Sequence, residues 1–159
     1  TIKEALDMRS YVLQNFENAL TVTDSVEREA LLDYVIVGAG PTGVELAGAL
    51  AELKRHVLPN DYPELDFKMM QVYLLEGSPK VLNVMSENAS SKAEKYLKEL
   101  GVNVFLNSRV KDYDGENVFL ENGKENSAVP NKGPEATVGM KILGRGPVVF
   151  YIPHGRILF

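Results

Sequence analysis

Apolar positions along the chain change period several times, and each period predicts an element. Ile2, Leu6, Leu13, Phe16 and Leu20 recur at helical spacing among polar residues, which predicts an amphipathic helix to about Leu20. Thr1 stands three residues before Glu4, the spacing of a capping box. Thr21-Val22-Thr23-Asp24 interrupts the pattern, and Asp24 and Ser25 suit the cap of a second short helix to about Leu32. Residues 1–32 thus read as a helical connector without a partner of its own, and a start inside a capping box without Met reads as a fragment of something longer. Asp33 to Gly38 reads as a strand, with the apolar run Tyr34-Val35-Ile36-Val37 inside it. From Pro41 to Val57 the period is helical again, with Gly43, Leu46, Ala47, Leu50, Leu53 and Val57 on one face and Glu45, Glu52 and His56 opposite. Leu58 to Asp66 is rich in turn formers and reads as a loop.

Met70 to Leu75 predicts a second strand, ending at Glu76-Gly77. Ser86 suits the cap of a third helix with Ala89, Ala93, Leu97 and Leu100 on its inner face, and Gly101 is a stop signal. Val102 to Leu106 is a third strand. Strand–helix–strand–helix–strand order predicts a parallel sheet with right-handed crossovers. Arg109–Tyr113 and Asn117–Glu121 then flank Asp114-Gly115, a preferred hairpin turn, and Asn122-Gly123 offers another turn directly after. The fold class is α/β, a Rossmann-like parallel sheet with flanking helices and an appended β-meander over residues 33–123. From Gly123 on the chain holds six of its 13 glycines and four of its 8 prolines, and periodicity is lost until Pro147 to Tyr151. Residues 124–159 therefore form a tail without a firm assignment.

The first strand runs directly into a glycine turn that opens a helix. Gly38, Gly40 and Gly43 stand at G-x-G-x-x-G spacing, and each has its own reason to lack a side chain. The first makes a tight turn, the second admits a pyrophosphate, and the third lets helix and strand touch. With Ala39, Pro41 and Thr42 they form a loop whose helix N-terminus points unpaired N–H groups and positive dipole at an anion. Pro41 suits a first-turn position, where no N–H is missed. No Walker lysine follows, so an ATPase or GTPase reading fails.

Glu76 ends the second strand, where an acid accepts hydrogen bonds from the adenosine ribose, and Gly77 follows it. The span from Gly43 to Glu76 exceeds the usual one, and the loop at residues 58–66 absorbs the excess. A carboxylate about 4 Å from a 2′-phosphate is repelled by about 4 kcal/mol at an effective dielectric of about 20, so Glu76 favours NAD over NADP. Lys80, four residues on, is a cation that could serve a 2′-phosphate.

Composition narrows the classes. The 159 residues carry a net charge of −5, which argues against a nucleic-acid surface, since that needs clustered Lys and Arg. There is no cysteine, which excludes disulfides, thiol chemistry and zinc–thiolate sites within this chain. No apolar stretch approaches the roughly 20 residues of a membrane span. His56 and His154 have no metal constellation around them in sequence, and no spacing supports hydrolase chemistry. Lys92, Lys95 and Lys98 read as a solvated helix face.

The block Val37-Gly38-Ala39-Gly40-Pro41-Thr42-Gly43-Val44-Glu45-Leu46-Ala47-Gly48-Ala49-Leu50-Ala51-Glu52-Leu53, with Leu74-Leu75-Glu76-Gly77 and Leu100-Gly101-Val102-Asn103-Val104, resembles type II NADH dehydrogenases. These are flavoproteins of the pyridine nucleotide-disulfide oxidoreductase superfamily, and the resemblance covers about residues 1–123. It implies an oxidoreductase that takes hydride from NADH to FAD and passes electrons to a membrane quinone of the respiratory chain. It also implies that this chain is the NADH-binding part alone, with FAD held largely by a separate domain of the parent. The parent would sit on the cytoplasmic side, peripheral to the inner face of the membrane, and the isolated fragment would be inactive. The glutamate of this motif lies near the nicotinamide–flavin contact in the family, so the resemblance makes Glu45 the candidate catalytic residue, whereas on its helix it belongs to a solvated face. The family's sheet closes with a late strand leading into an alanine–glycine turn, a signature that Lys124 to Phe159 lacks. Three alternatives stay open: a soluble flavin reductase or NADH oxidase, a non-catalytic nucleotide-binding module, and a methyltransferase.

Overall fold

A computed structural model describes residues 2–113, 117–121, 139–141 and 148–151. The first strand, β1 (Tyr34–Val37), is buried along its whole length and lies at the centre of the sheet. β2 (Val72–Leu75) pairs with it in parallel, Tyr34 opposite Val72 and Val37 opposite Leu75, and β3 (Asn103–Phe105) pairs in parallel with β2. Helices α1 (Ile2–Thr21) and α2 (Ser25–Leu32) precede the sheet, α3 (Pro41–Glu52) connects β1 towards β2, and α5 (Glu87–Glu99) connects β2 to β3. Between α3 and β2 lies α4 (Leu58–Asp61).

The parallel sheet and meander agree with the expected fold class, and the tail adds to both. β4 (Val110–Tyr113) and β5 (Asn117–Leu120) pair antiparallel, and β6 (Gly139–Lys141) joins β5 as the third strand of that sheet. β7 (Val148–Tyr151) pairs in parallel with β1, Tyr34 opposite Val148. The main sheet therefore has the order β3-β2-β1-β7. The sheet has its closing strand although the alanine–glycine signature is lacking: at Val148–Tyr151 four consecutive residues of high strand propensity pair along the open edge of β1. The predicted turns at Asp114-Gly115 and Asn122-Gly123, the cap residue Thr1, and His154 lie outside the described residues.

Two further expectations change with packing. The front helix has a partner after all, since Val12, Phe16 and Ala19 are buried in the main core. The Phe16 ring lies 6.1 Å from Tyr34 and 5.8 Å from Phe67 in edge-to-face contact, and 5.7 Å from Tyr62. Positions 12, 16 and 19 follow the i, i+4, i+7 line, while Leu6, Leu13 and Leu20 lie on a neighbouring line that stays 38–54% exposed. The second change is in the helix after the glycine turn. Gly43, Ala47, Leu50 and Ala51 are buried as a face, but residues 53–57 form a π turn in which the Leu58 N–H donates to the Leu53 oxygen. The wider turn delays the face by one residue, so Val57 is 41% exposed and Leu58 takes the inner place at 3%. Leu58–Asp61, expected as loop, is helical because Pro59 sits in its first turn, where proline costs no hydrogen bond.

Helix α5 ends as its sequence requires. Gly101 has φ +89°, the Gly101 N–H donates to Lys98 and the Val102 N–H to Leu97, both 3.0 Å, which is a Schellman stop. The Ser86 side chain caps its start by accepting from the Ala89 N–H.

Asp33, between α2 and β1, is 6% exposed and accepts from the Gln71 N–H at 2.9 Å. Burial pushes its carboxyl from 3.8 up to about 7, against the Gln71 N–H and the Lys54 charge, with Glu29 adding to the rise. The unfolded chain releases this proton near pH 4 and the native chain near 7. Between these values the native state binds more protons, so the contribution of Asp33 to stability is fully present below about pH 4 and is lost as pH rises through about 7. Asp33→Asn keeps the oxygen acceptor and removes the charge. We expect it to raise stability by about 2 kcal/mol at pH 8 and to change it little at pH 4, measured as denaturant midpoints across that range.

Candidate functional site

All three glycines of the turn lie where β1 hands over to α3, and each meets the condition its position sets. Gly38 has φ +103°, a conformation that side chains rarely adopt, and its N–H donates to the Leu75 oxygen at 2.8 Å. A Cβ on Gly43 would collide with the carbonyl oxygen of Gly38, so this glycine is what lets α3 approach β1. A Cβ on Gly40 would meet nothing within 4 Å. Gly40 therefore fronts open space at the N-terminus of α3, where it is the cap residue and Pro41 the first helical one. Free space beside a helix N-terminus, at the carboxyl ends of parallel strands, is the form of a phosphate cradle.

Glu76 closes the other side of the cradle. One carboxylate oxygen accepts from the Ala39 N–H at 2.6 Å and the other from the Ser78 N–H at 2.8 Å. Each oxygen keeps a further lone pair for a donor such as a ribose hydroxyl. The Leu82 N–H in turn donates to the Ala39 oxygen at 2.8 Å, so Ala39 is held from both sides by the segment that follows β2. Leu82 has φ +49°, and the backbone of this segment is tied to the end of β3 through Asn107 N–H to Ser78 and Ser108 N–H to Glu76. Gly77 lies against Arg109, whose Nε is 3.5 Å from the place a Cβ would take.

Gly38, Ala39, Gly40, Pro41, Thr42, Gly43, Glu76 and Gly77 thus stand together at one end of the sheet. Glu45 is one turn into α3, exposed and without a hydrogen-bond or ion-pair partner among the described residues. His56 pairs with Glu52 at 3.3 Å, and Glu52 also accepts from the Tyr96 hydroxyl, which accounts for that face without a metal. Lys95 and Lys98 pair with Glu99 and Glu94 on their own helix, as a solvated face does. No group of acids and histidines among the described residues could hold a metal ion. Sequence reasoning missed Arg109 and the grip of residues 78–82 on the glycine loop, because both depend on how the ends of β2 and β3 are laced together.

A cleft of about 520 Å³ lies elsewhere, lined by Lys54, Pro63, Leu65, Phe67, Lys68 and Leu100 among others. It is at the amino ends of β2 and β3, where Lys54 donates to the Met70 oxygen. Ligands of open parallel sheets bind at the opposite, carboxyl ends, which is where the cradle is.

The family profile described as pyridine nucleotide-disulphide oxidoreductase matches residues 3–147. The chain belongs to the pyridine nucleotide-disulphide oxidoreductase family. Within this family it is similar to the type II NADH:quinone oxidoreductase Ndh of Mycobacterium tuberculosis, 37% identical over 121 residues that are 76% of this chain and 26% of that protein. A second type II NADH:quinone oxidoreductase of the same organism, NdhA, is 39% identical over 127 residues, 79% of this chain and 27% of that protein. The external NADH-ubiquinone oxidoreductase 2 of Saccharomyces cerevisiae mitochondria is 31% identical over 130 residues, 80% of this chain and 24% of that protein. In fold it matches the structure of NDH2 from Plasmodium falciparum in complex with NADH, with TM-score 0.76 at 23% identity over 99% of this chain and 29% of that one. This member of the oxidoreductase family spans about a quarter of the length of the curated relatives it matches. Among the described residues no helix is long and apolar enough to cross a membrane.

Proposed function

We propose that this chain is the NAD(H)-binding portion of an FAD-dependent NADH dehydrogenase that passes electrons on to quinone. The observation that carries the reading is the pairing of an open cradle at Gly40 with a carboxylate, Glu76, tied to the neighbouring amide of Ala39. In this reading residues 38–43 hold the pyrophosphate, with the helix N-terminus supplying the charge that a lysine supplies elsewhere. Glu76 orients the adenosine ribose, and Gly77 leaves room beside it. The nicotinamide supplies hydride when bound, and FAD in the rest of the parent accepts it. The contribution of these residues is orientation, so the 159-residue chain by itself binds NADH without turning it over.

The same reading divides the chain into a connector at residues 1–32, a dinucleotide-binding core at 33–123 and the segment 124–159, which contributes β6 and β7. The FAD domain of the same parent chain is the partner, and the parent works as a peripheral protein on the cytoplasmic side of its membrane. Titration calorimetry of the full-length protein with NADH and NADPH tests the site. Saturable NADH binding in preference to NADPH is expected, and failure to bind either dinucleotide overturns the proposal. Turnover with a quinone against oxygen as sole acceptor separates the dehydrogenase from an NADH oxidase.

Glu45 is proposed to face the nicotinamide–flavin contact in the whole protein and to take part in proton handling there. Its exposure and lack of a partner among the described residues leave its carboxylate available for that contact. Glu45→Gln keeps the shape and removes the charge, and we expect it to lower quinone-dependent turnover by about tenfold while the Kd for NADH stays unchanged. Wild-type turnover in that variant removes Glu45 from the mechanism.

A further inference from the structure

Two cations lie on the segments that adjoin Glu76, and each has a carboxylate partner of its own. Lys80 lies in the segment between Glu76 and Leu82, and both ends of that segment are bonded to Ala39 of the glycine loop. Its ammonium is 2.8 Å from Glu87 in the first turn of α5, and its side chain is only 26% exposed. Arg109 packs against Gly77, the residue after Glu76, and its Nε is 3.8 Å from Glu121. The Glu121 N–H donates to the Arg109 oxygen at 2.8 Å, so the two residues stay adjacent in the ladder edge. Neither carboxylate is among the residues of the proposed cradle, and both are well exposed, Glu87 at 82% and Glu121 at 55%.

From this geometry we propose that Glu87 and Glu121 are specificity-determining residues. They occupy Lys80 and Arg109, the two cations that would otherwise receive the 2′-phosphate of NADPH. The inference rests on the proposed NAD(H) site. A cofactor with a 2′-phosphate brings close to two negative charges to the end of β2, and recognition there requires a nearby free cation. Here Glu76 itself would repel that phosphate, and the cations on the two adjoining segments each have a carboxylate partner, Lys80 at 2.8 Å and the more exposed Arg109 at 3.8 Å. Exclusion of NADPH is thus shared among three acids, of which only Glu76 touches the ribose. Glu87 and Glu121 are positioning residues that act through their cations.

The test uses the full-length protein and the affinities for NADH and NADPH by titration calorimetry. Glu76→Ser serves as the background, so that direct repulsion does not mask the effect. Adding Glu87→Gln, and separately Glu121→Gln, is expected to tighten NADPH by about three- to fivefold each, as release of an exposed ion pair allows. NADH affinity changes by less than about twofold in the same steps, and the NADPH gain shrinks at high salt. Adding Lys80→Met to the Glu87→Gln variant, or Arg109→Gln to the Glu121→Gln variant, abolishes the corresponding gain, which a general loosening of the loop would not do. An NADPH to NADH affinity ratio unchanged by either glutamine substitution, in a background that still binds NADH, overturns the inference while leaving the site intact. A wild-type protein that binds neither dinucleotide overturns the site itself.

Discussion

Gly43→Ala is expected to lower the melting temperature of the protein by about 10 °C and to abolish NADH binding. The added methyl meets the carbonyl oxygen of Gly38, a backbone atom that has no rotamer to escape into. Gly38 itself is fixed, because its φ of +103° and its N–H bond to Leu75 tie it to the sheet. Relief therefore requires α3 to move off β1, which strips Ala47 and Leu50 from the core. Overpacking against backbone costs about 3 kcal/mol, and at this chain length each kcal/mol is worth roughly 2–4 °C. Gly40→Ala makes the necessary contrast. Its backbone is at φ −70° and nothing stands within 4 Å of the new methyl, so the fold persists. At the proposed site the methyl instead takes space meant for the pyrophosphate, and a fall in NADH affinity is expected. Thermal melts and calorimetry on the two variants separate the two roles; equal melting temperatures for Gly43→Ala and wild type would contradict the packing argument.

Glu76→Ala is expected to weaken NADH binding by about 10- to 100-fold with only a small change in stability. Two effects add. The ribose loses a charge-assisted acceptor, about 1.5–3 kcal/mol where donor or acceptor is ionised. The glycine loop also loses the bond that holds the Ala39 N–H at 2.6 Å, so the cradle is less well ordered before the cofactor arrives. Glu76→Gln keeps one acceptor for Ala39 and is expected to fall between Ala and wild type. If Ala and Gln lose the same affinity, the loop contact carries no part of the effect.

Much of this site was legible in order of residues because its parts are local. The strand, the glycine turn and the helix of the cradle are consecutive, and the glycine spacing records close approaches that any chain of this geometry must make. The Schellman stop at Gly101 and the Ser86 cap are local for the same reason, each needing only a few neighbouring residues. The front helix was misjudged because a helical period identifies a helix better than it identifies which of two adjacent apolar lines will find a partner. Phe16 lay near both, and only the aromatic cluster with Tyr34, Tyr62 and Phe67 chose the line through Val12 and Ala19. Val57 and Leu58 exchanged places because one extra residue in a π turn rotates everything after it, and no period computed over the whole helix records such a step.

By itself, the sequence determined the alternation of β1, α3, β2, α5 and β3, the glycine cradle, the acid at the end of β2 and the absence of cysteine chemistry, since each depends on residue type and short spacing. Tertiary structure alone decided that Val148–Tyr151 completes the sheet beside β1, that Glu76 grips Ala39 across 37 positions of chain, and that Lys80 and Arg109 are each held by a glutamate. These are contacts between segments far apart in sequence. Their partners are chosen by which edges and loops the folded sheet brings together, and a one-dimensional pattern carries no record of that choice.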